Sequence, residues 1–327
     1  MSFKTKLIKI KGIFKAKIFW PTFTGVLHLK LRKRKMTKLQ AECAKATLTQ
    51  YLECLLIAKL RKRMRKQIEL TAKDIRSTEY VNSEYNSKII WICWLQGIDN
   101  APEIVRMCFQ SVLDYFGNEY EIIVLTEQNY SQYVNLPDNI LKKYKKGVIS
   151  RTHFSDLLRL ELLTKYGGTW LDSTLFFSGK KLPEFMFDSD LFVFQSIWPQ
   201  LFGRATRVES WFITAKPNNP MLLFTRDMLY RYWEKYNVLI DYWLIYDMFE
   251  FAIEQFPELW KKVMPVSQCD VHIFQDKLLD AYDEDIYNAT IKRVGLHKLN
   301  WRFTDEQTSM PGTYYDHMIK TNKIYNG

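Results

Sequence analysis

Apolar positions in this chain change spacing several times, and each change marks an element. Leu48, Tyr51, Leu52, Leu55, Leu56 and Leu60 recur at helical intervals, which predicts a helix over residues 37–70. Residues 71–87 are polar, with Asn82, Ser83, Asn86 and Ser87, and read as a linker. Lys88 to Leu95 is then almost continuously apolar, the pattern of a strand buried on both faces. Gln96–Asn100 is its loop, Pro102 suits the first turn of a helix reaching Phe116, and Glu121–Leu125 is a second strand. A helix over His153–Tyr166 stops at Gly167-Gly168, and Thr169–Phe177 reads as the next strand. Leu191–Ile197 and Ser210–Ala215 add strands, Pro217–Pro220 is a turn, and aromatic-rich helices cover 220–236 and 241–256, ahead of Pro257. Strands alternating with helices predict an α/β sheet, whose ligands bind at the carboxyl ends of the strands. The organisation that follows is a basic helical extension (1–70), a linker (71–87) and an α/β body (88–327).

Charge sharpens this division. Residues 1–67 carry nineteen Lys/Arg and two Glu, a net of +17, while the rest of the chain is net −6. Such asymmetry implies an anionic partner for the extension. Leu7, Ile8, Ile10, Ile13, Phe14, Ile18, Phe19 and Trp20 interleave with Lys4, Lys6, Lys9, Lys11, Lys15 and Lys17, which suits an anionic membrane surface. A solvated basic tail is the plainer alternative. A nucleic-acid partner has no helix-turn-helix, zinc-finger or stacking-platform signature behind it. The uncharged run Ile18–Leu29 is too short to span a bilayer, contains Pro21 and makes a poor signal peptide. Five scattered cysteines form no metal-spaced pair and read as reduced thiols. The expectation is a cytoplasmic protein held peripherally at the inner face of the membrane. The 15% aromatic content suits a sugar-handling surface as well as a core.

Candidate chemistry concentrates in one stretch. Ser155-Asp156 and Arg159 lie on the helix that Gly167-Gly168 ends, and Asp172 lies on the strand beyond. That layout can gather Asp156, Arg159 and Asp172 around one pocket, as a cation-assisted nucleotide-sugar site would need. Alternatively, Asp156 and Arg159, spaced i, i+3, make a plain surface ion pair, and Asp172 a strand-end turn former.

With Lys88-Ile89-Ile90-Trp91, Ser155-Asp156…Arg159 and Tyr166-Gly167-Gly168-Thr169-Trp170-Leu171-Asp172, residues 88–300 resemble the capsular polysaccharide synthesis glycosyltransferases. These belong to a wider group of DXD-type sugar transferases that includes initiating mannosyltransferases and glucosylating toxins. The resemblance implies a GT-A fold, a Rossmann-like mixed sheet flanked by helices, with a UDP-hexose donor, Mn2+ (or Mg2+) and retention of configuration. It implies a saccharide acceptor, lipid-linked if the enzyme works in surface polysaccharide assembly. Asp156 takes the place of an aspartate that contacts donor hydroxyls, and Arg159 that of its basic neighbour. Asp172 matches the first aspartate of DXD; Thr174 stands where the second would be, so the motif is less negative than usual. His297 is the candidate for the missing metal ligand, and Lys298 for the donor diphosphate. Trp91, or a neighbour at the end of the first strand, is a candidate for stacking on uracil, with core packing as the alternative. Asp241 is the candidate catalytic carboxylate at the donor–acceptor junction, or else a helix N-cap. A non-catalytic carbohydrate- or lipid-binding protein on the same scaffold is the rival reading.

Overall fold

The structure, a computed structural model, describes residues 19–32, 36–78, 88–196 and 205–326. The interleaved basic stretch before residue 19 and most of the linker therefore lie outside the described residues. Helix α1 (Phe19–Arg32) packs on the early part of α2 (Lys38–Ser77), where Gly25 lies against Leu48. Thr37 caps α2: its hydroxyl accepts from the Gln40 amide, while the Gln40 side chain returns to the Thr37 amide. This helix runs 40 residues and reaches Ser77, well into the stretch that reads as linker. The reason is burial: Thr71, Ala72 and Ile75 continue the inward face begun by Leu60, Met64 and Ile68.

The body is built on a five-stranded sheet in the order β2-β1-β3-β6-β5. Its strands are β1 (Ile89–Cys93), β2 (Glu121–Leu125), β3 (Gly168–Leu171), β5 (Leu191–Gln195) and β6 (Val208–Ala215). β1 pairs parallel with β2 and β3, whereas β6 runs antiparallel to β3 and β5. A separate antiparallel pair joins β4 (Leu175–Phe177) to β7 (Leu296–Lys298). The mixed sheet flanked by helices, with a helix at the N-terminal side, is the expected fold class.

Two apolar layers cover the main sheet. On one face, α2 packs with α4 (Asp138–Lys145), α5 (Arg151–Tyr166), α6 (Pro220–Lys235) and α7 (Leu244–Gln255). On the other lie α3 (Glu103–Phe116), the β4–β7 pair, α8 (Glu284–Arg293) and α9 (Tyr314–Thr321). β1 feeds both layers by strict alternation: Ile89, Trp91 and Cys93 go to the first, Ile90 and Ile92 to the second. Because α2 supplies Ile57, Leu60, Met64, Ile68, Ala72 and Ile75 to the first layer, its second half is core.

The single strand expected over Thr169–Phe177 is two. β3 ends at Leu171, the backbone turns at Asp172–Leu175 (Leu175 N–H to Asp172 C=O, 3.1 Å), and β4 joins the small sheet. Meanwhile the Asp172 N–H still donates to Trp211 C=O of β6 at 2.8 Å, so the turn is pinned to the main sheet as it leaves it.

Candidate active site: a chain of alternating charges on the wall of a large pocket

Helix α5 is held at both ends. Ser150 accepts from the His153 amide at its start. Gly167 ends it with φ +68°, where a Cβ would lie 2.7 Å from Pro217 Cδ and 2.9 Å from Ala215 C=O, so only glycine fits. This fixes the inward face of α5 against β3 and sets Asp156 and Arg159 below Asp172.

The side chains then alternate in sign. Trp233 Nε1–H donates to His153 Nε2 at 2.8 Å, and His153 Nδ1 lies 3.4 Å from Asp156 Oδ2. Asp156 Oδ1 is 3.2 Å from Arg159 Nη1, and Arg159 Nη2 donates to Asp172 Oδ1 at 3.0 Å. The Arg159 guanidinium also lies 4.8 Å from the Trp170 ring centre, and Trp170 Nε1–H donates to Asp172 Oδ1 at 3.1 Å. Asp172 Oδ2 faces Lys298 Nζ at 3.5 Å, and Lys298 in turn donates to the Thr174 hydroxyl. The Leu299 N–H to Thr174 C=O bond, 2.9 Å, locks β7 beside the turn. Asp156 and Arg159 are therefore no surface pair: they are 6% and 3% exposed, and they support Asp172 from beneath. Asp172 and Lys298 are the members that reach the pocket.

That pocket has a volume of about 880 Å³. Asp172, Ser173, Thr174 and Lys298 form one part of its wall, Trp94, Asn300 and Trp301 another, and Glu209 and Trp211 of β6 a third. Tyr242, Trp243 and Tyr246 close it towards α7, and Thr49 of α2 reaches its edge. The Trp94 and Trp301 rings meet edge to face with centres 5.3 Å apart, and the Trp94 indole N–H has no acceptor among the described residues.

Three candidates lie elsewhere. Trp91 is 1% exposed, donates to Gly167 C=O at 2.9 Å and packs against Tyr133 and Tyr166, so it is core. Strand alternation turns it away and leaves its neighbour Trp94 at the pocket. His297 is fully buried between Phe176 and Phe274, with Nε2 3.3 Å from Ser178 Oγ, because β7 points alternate residues to opposite sides and Lys298 takes the pocket side. Burial pushes its pKa down to about 4. Asp241 does not line the pocket either. It accepts from the Trp243 amide at 3.1 Å, just ahead of α7, whose cap is Trp243 and not Asp241.

The donor set at Asp172 is a poor match for a divalent ion. It offers one carboxylate, with each oxygen already facing a cation, and one neutral hydroxyl taken by Lys298. Among the described residues, the ligand atoms close enough to share an ion belong to Glu53, Asp241 and Asp247. Glu209, Trp211 and Trp301 were not legible as site residues. Glu209 sits in a strand with no motif around it, and Trp301 merely follows the Lys298 segment.

Over 101 residues the chain is 29% identical to the O-glycosyltransferase PaGT of Phomopsis amygdali; that stretch is 28% of this chain and 25% of PaGT, so the match spans about a quarter of that relative's length. The solved structure titled PaToxG Glycosyltransferase aligns with 81% of this chain and 95% of its own at 16% identity, with a TM-score of 0.36. The sequence profile of the capsular polysaccharide synthesis proteins matches residues 37–318, which takes in α2 together with both sheets of the body and ends within α9, and the chain belongs to that family.

Proposed function

We propose that the chain is a glycosyltransferase that moves a hexose from a UDP-sugar to a saccharide acceptor, lipid-linked, in surface polysaccharide assembly. The observation that carries this reading is Lys298. Its ammonium group lines a pocket of about 880 Å³, oriented by Asp172 and Thr174 and backed by Arg159. Pockets of that order hold ligands of nucleotide-sugar size. When the sugar–diphosphate bond breaks, negative charge develops on the leaving oxygen. A fixed ammonium group at that point stabilises the transition state more than the ground state. Asp172 holds Lys298 in place and, through Arg159 and Asp156, is itself held by the helix beneath. Trp94 and Trp301 offer flat faces to the base or a sugar ring. No step is assigned to a metal at Asp172, since the residues there do not supply its ligands. Retention of configuration is part of the proposal through the family resemblance. The basic N-terminal region would keep the enzyme beside an acceptor on an anionic membrane surface.

Release of UDP from a panel of UDP-hexoses, with and without an oligosaccharide acceptor, tests this. We expect acceptor-dependent release by the wild type and a fall in kcat of about 10²–10³ for Lys298→Ala, the size typical of losing one preorganised stabilising group. Failure of UDP, GDP and CMP alike to bind the folded protein would leave the non-catalytic binding reading in its place.

A further inference from the structure

A second constellation lies where α2 meets the start of α7. Glu53 comes from α2, Asp241 from the segment after α6, and Asp247 from the first turn of α7. One ligand oxygen of each lies within 4.8 Å of the others. Asp247 is wholly buried, and neither of its carboxylate oxygens has a hydrogen-bond partner among the described residues. Ionised, such a group is a buried charge beside two more carboxylates, and it is costly unless a cation pairs with it. The two partners are oriented by the backbone: Glu53 Oε2 accepts from the Ala205 amide at 2.6 Å, and Asp241 Oδ1 from the Trp243 amide at 3.1 Å. Ligand carboxylates are characteristically held in this way by a second layer of hydrogen bonds.

We infer that Glu53, Asp241 and Asp247 form a binding site for a hard divalent cation of the Mg2+, Mn2+ or Ca2+ class, separate from Asp172. An all-oxygen, all-carboxylate set selects such ions over softer metals. The ion bridges α2 to α7 just behind the pocket residues Tyr242, Trp243 and Tyr246. It therefore joins the helical extension to the body and steadies one wall of the pocket.

The test uses the full chain, stripped with EDTA and titrated with MnCl2 in the absence of nucleotide. Bound Mn2+ is counted by electron paramagnetic resonance, and thermal unfolding is followed in parallel. The wild type should bind one Mn2+ per chain, with a rise of about 4 °C in its midpoint at a Mn2+ concentration about 100 times Kd. Asp172→Asn should bind equally well. Asp247→Asn should bind none, and when stripped it should melt no lower than the stripped wild type, because it deletes a buried charge without changing shape. Glu53→Gln gives the same reading if Asp247→Asn fails to fold. Absence of Mn2+ binding by the wild type at millimolar Mn2+, retention of the ion by Asp247→Asn and Glu53→Gln, or its loss in Asp172→Asn overturns the inference.

Discussion

His297 shows how a single residue's surroundings decide its chemistry. Its ring is enclosed by Phe176 and Phe274, and burial holds its pKa near 4, below the unfolded value of about 6.5. Between these two values the unfolded chain binds a proton that the folded chain refuses. The stability this contributes is complete above pH 6.5 and is lost as the pH falls towards 4. About 3 kcal/mol is at stake. Urea midpoints measured from pH 7 to pH 4 should fall steeply for the wild type and less steeply for His297→Gln, whose side chain carries no titrating group. Equal slopes would remove His297 as the source. The same residue marks a limit of sequence reading. A Gly-Leu-His-Lys string places His297 and Lys298 side by side, but a strand sends neighbours to opposite faces, so only Lys298 reaches Asp172. Trp91 and Trp94 divide in the same way. The central motif was legible because a glycine-stopped helix and the strand after it bring Asp156, Arg159 and Asp172 together by local geometry alone. Glu209 and the Glu53–Asp241–Asp247 cluster come from distant segments, and only tertiary packing brings them into place.

At the scale of elements, α2 differs most from its sequence expectation. Its apolar spacing predicted a helix, but its length and its place in the core follow from contacts with α6 and α7 that no local pattern records. The basic run Arg61–Lys66 is correspondingly tied to the body: Arg61 pairs with Glu254 and lies over the Phe251 ring. Leu60 is 1% exposed beneath that run. Leu60→Ala should therefore destabilise the whole protein by about 2–5 kcal/mol, as a core truncation does, in one cooperative transition. If α2 were a separate appendage, calorimetry would show the loss in a distinct, smaller transition. The strand expected over Thr169–Phe177 fails for a related reason. The polar Asp172-Ser173-Thr174 interrupts the apolar Trp170-Leu171 and Leu175-Phe176-Phe177, and the chain turns there between two sheets; β6 and β7 each take a side of that turn.

Across the whole molecule, positive charge is concentrated in the N-terminal part of the chain. Among the described residues, no helix is long and apolar enough to cross a membrane. Helix α1 nonetheless exposes Phe23, Val26, Leu27 and Leu31 at helical spacing, next to the basic residues around position 30. Replacing Phe23, Leu27 and Leu31 by Glu should abolish co-sedimentation with phosphatidylserine vesicles at physiological salt while leaving UDP binding unchanged; undiminished sedimentation would count against membrane docking. The geometry of α2 gives this arrangement a dimension. Thr49 stands at the edge of the pocket, and the helix continues outward for eleven further residues to Lys38, a rise of about 16 Å. Helix α1 runs alongside that span, with Gly25 against Leu48 next to Thr49. With α1 resting on a lipid surface, the pocket would therefore lie beside the bilayer, within reach of an acceptor that carries little saccharide on its lipid.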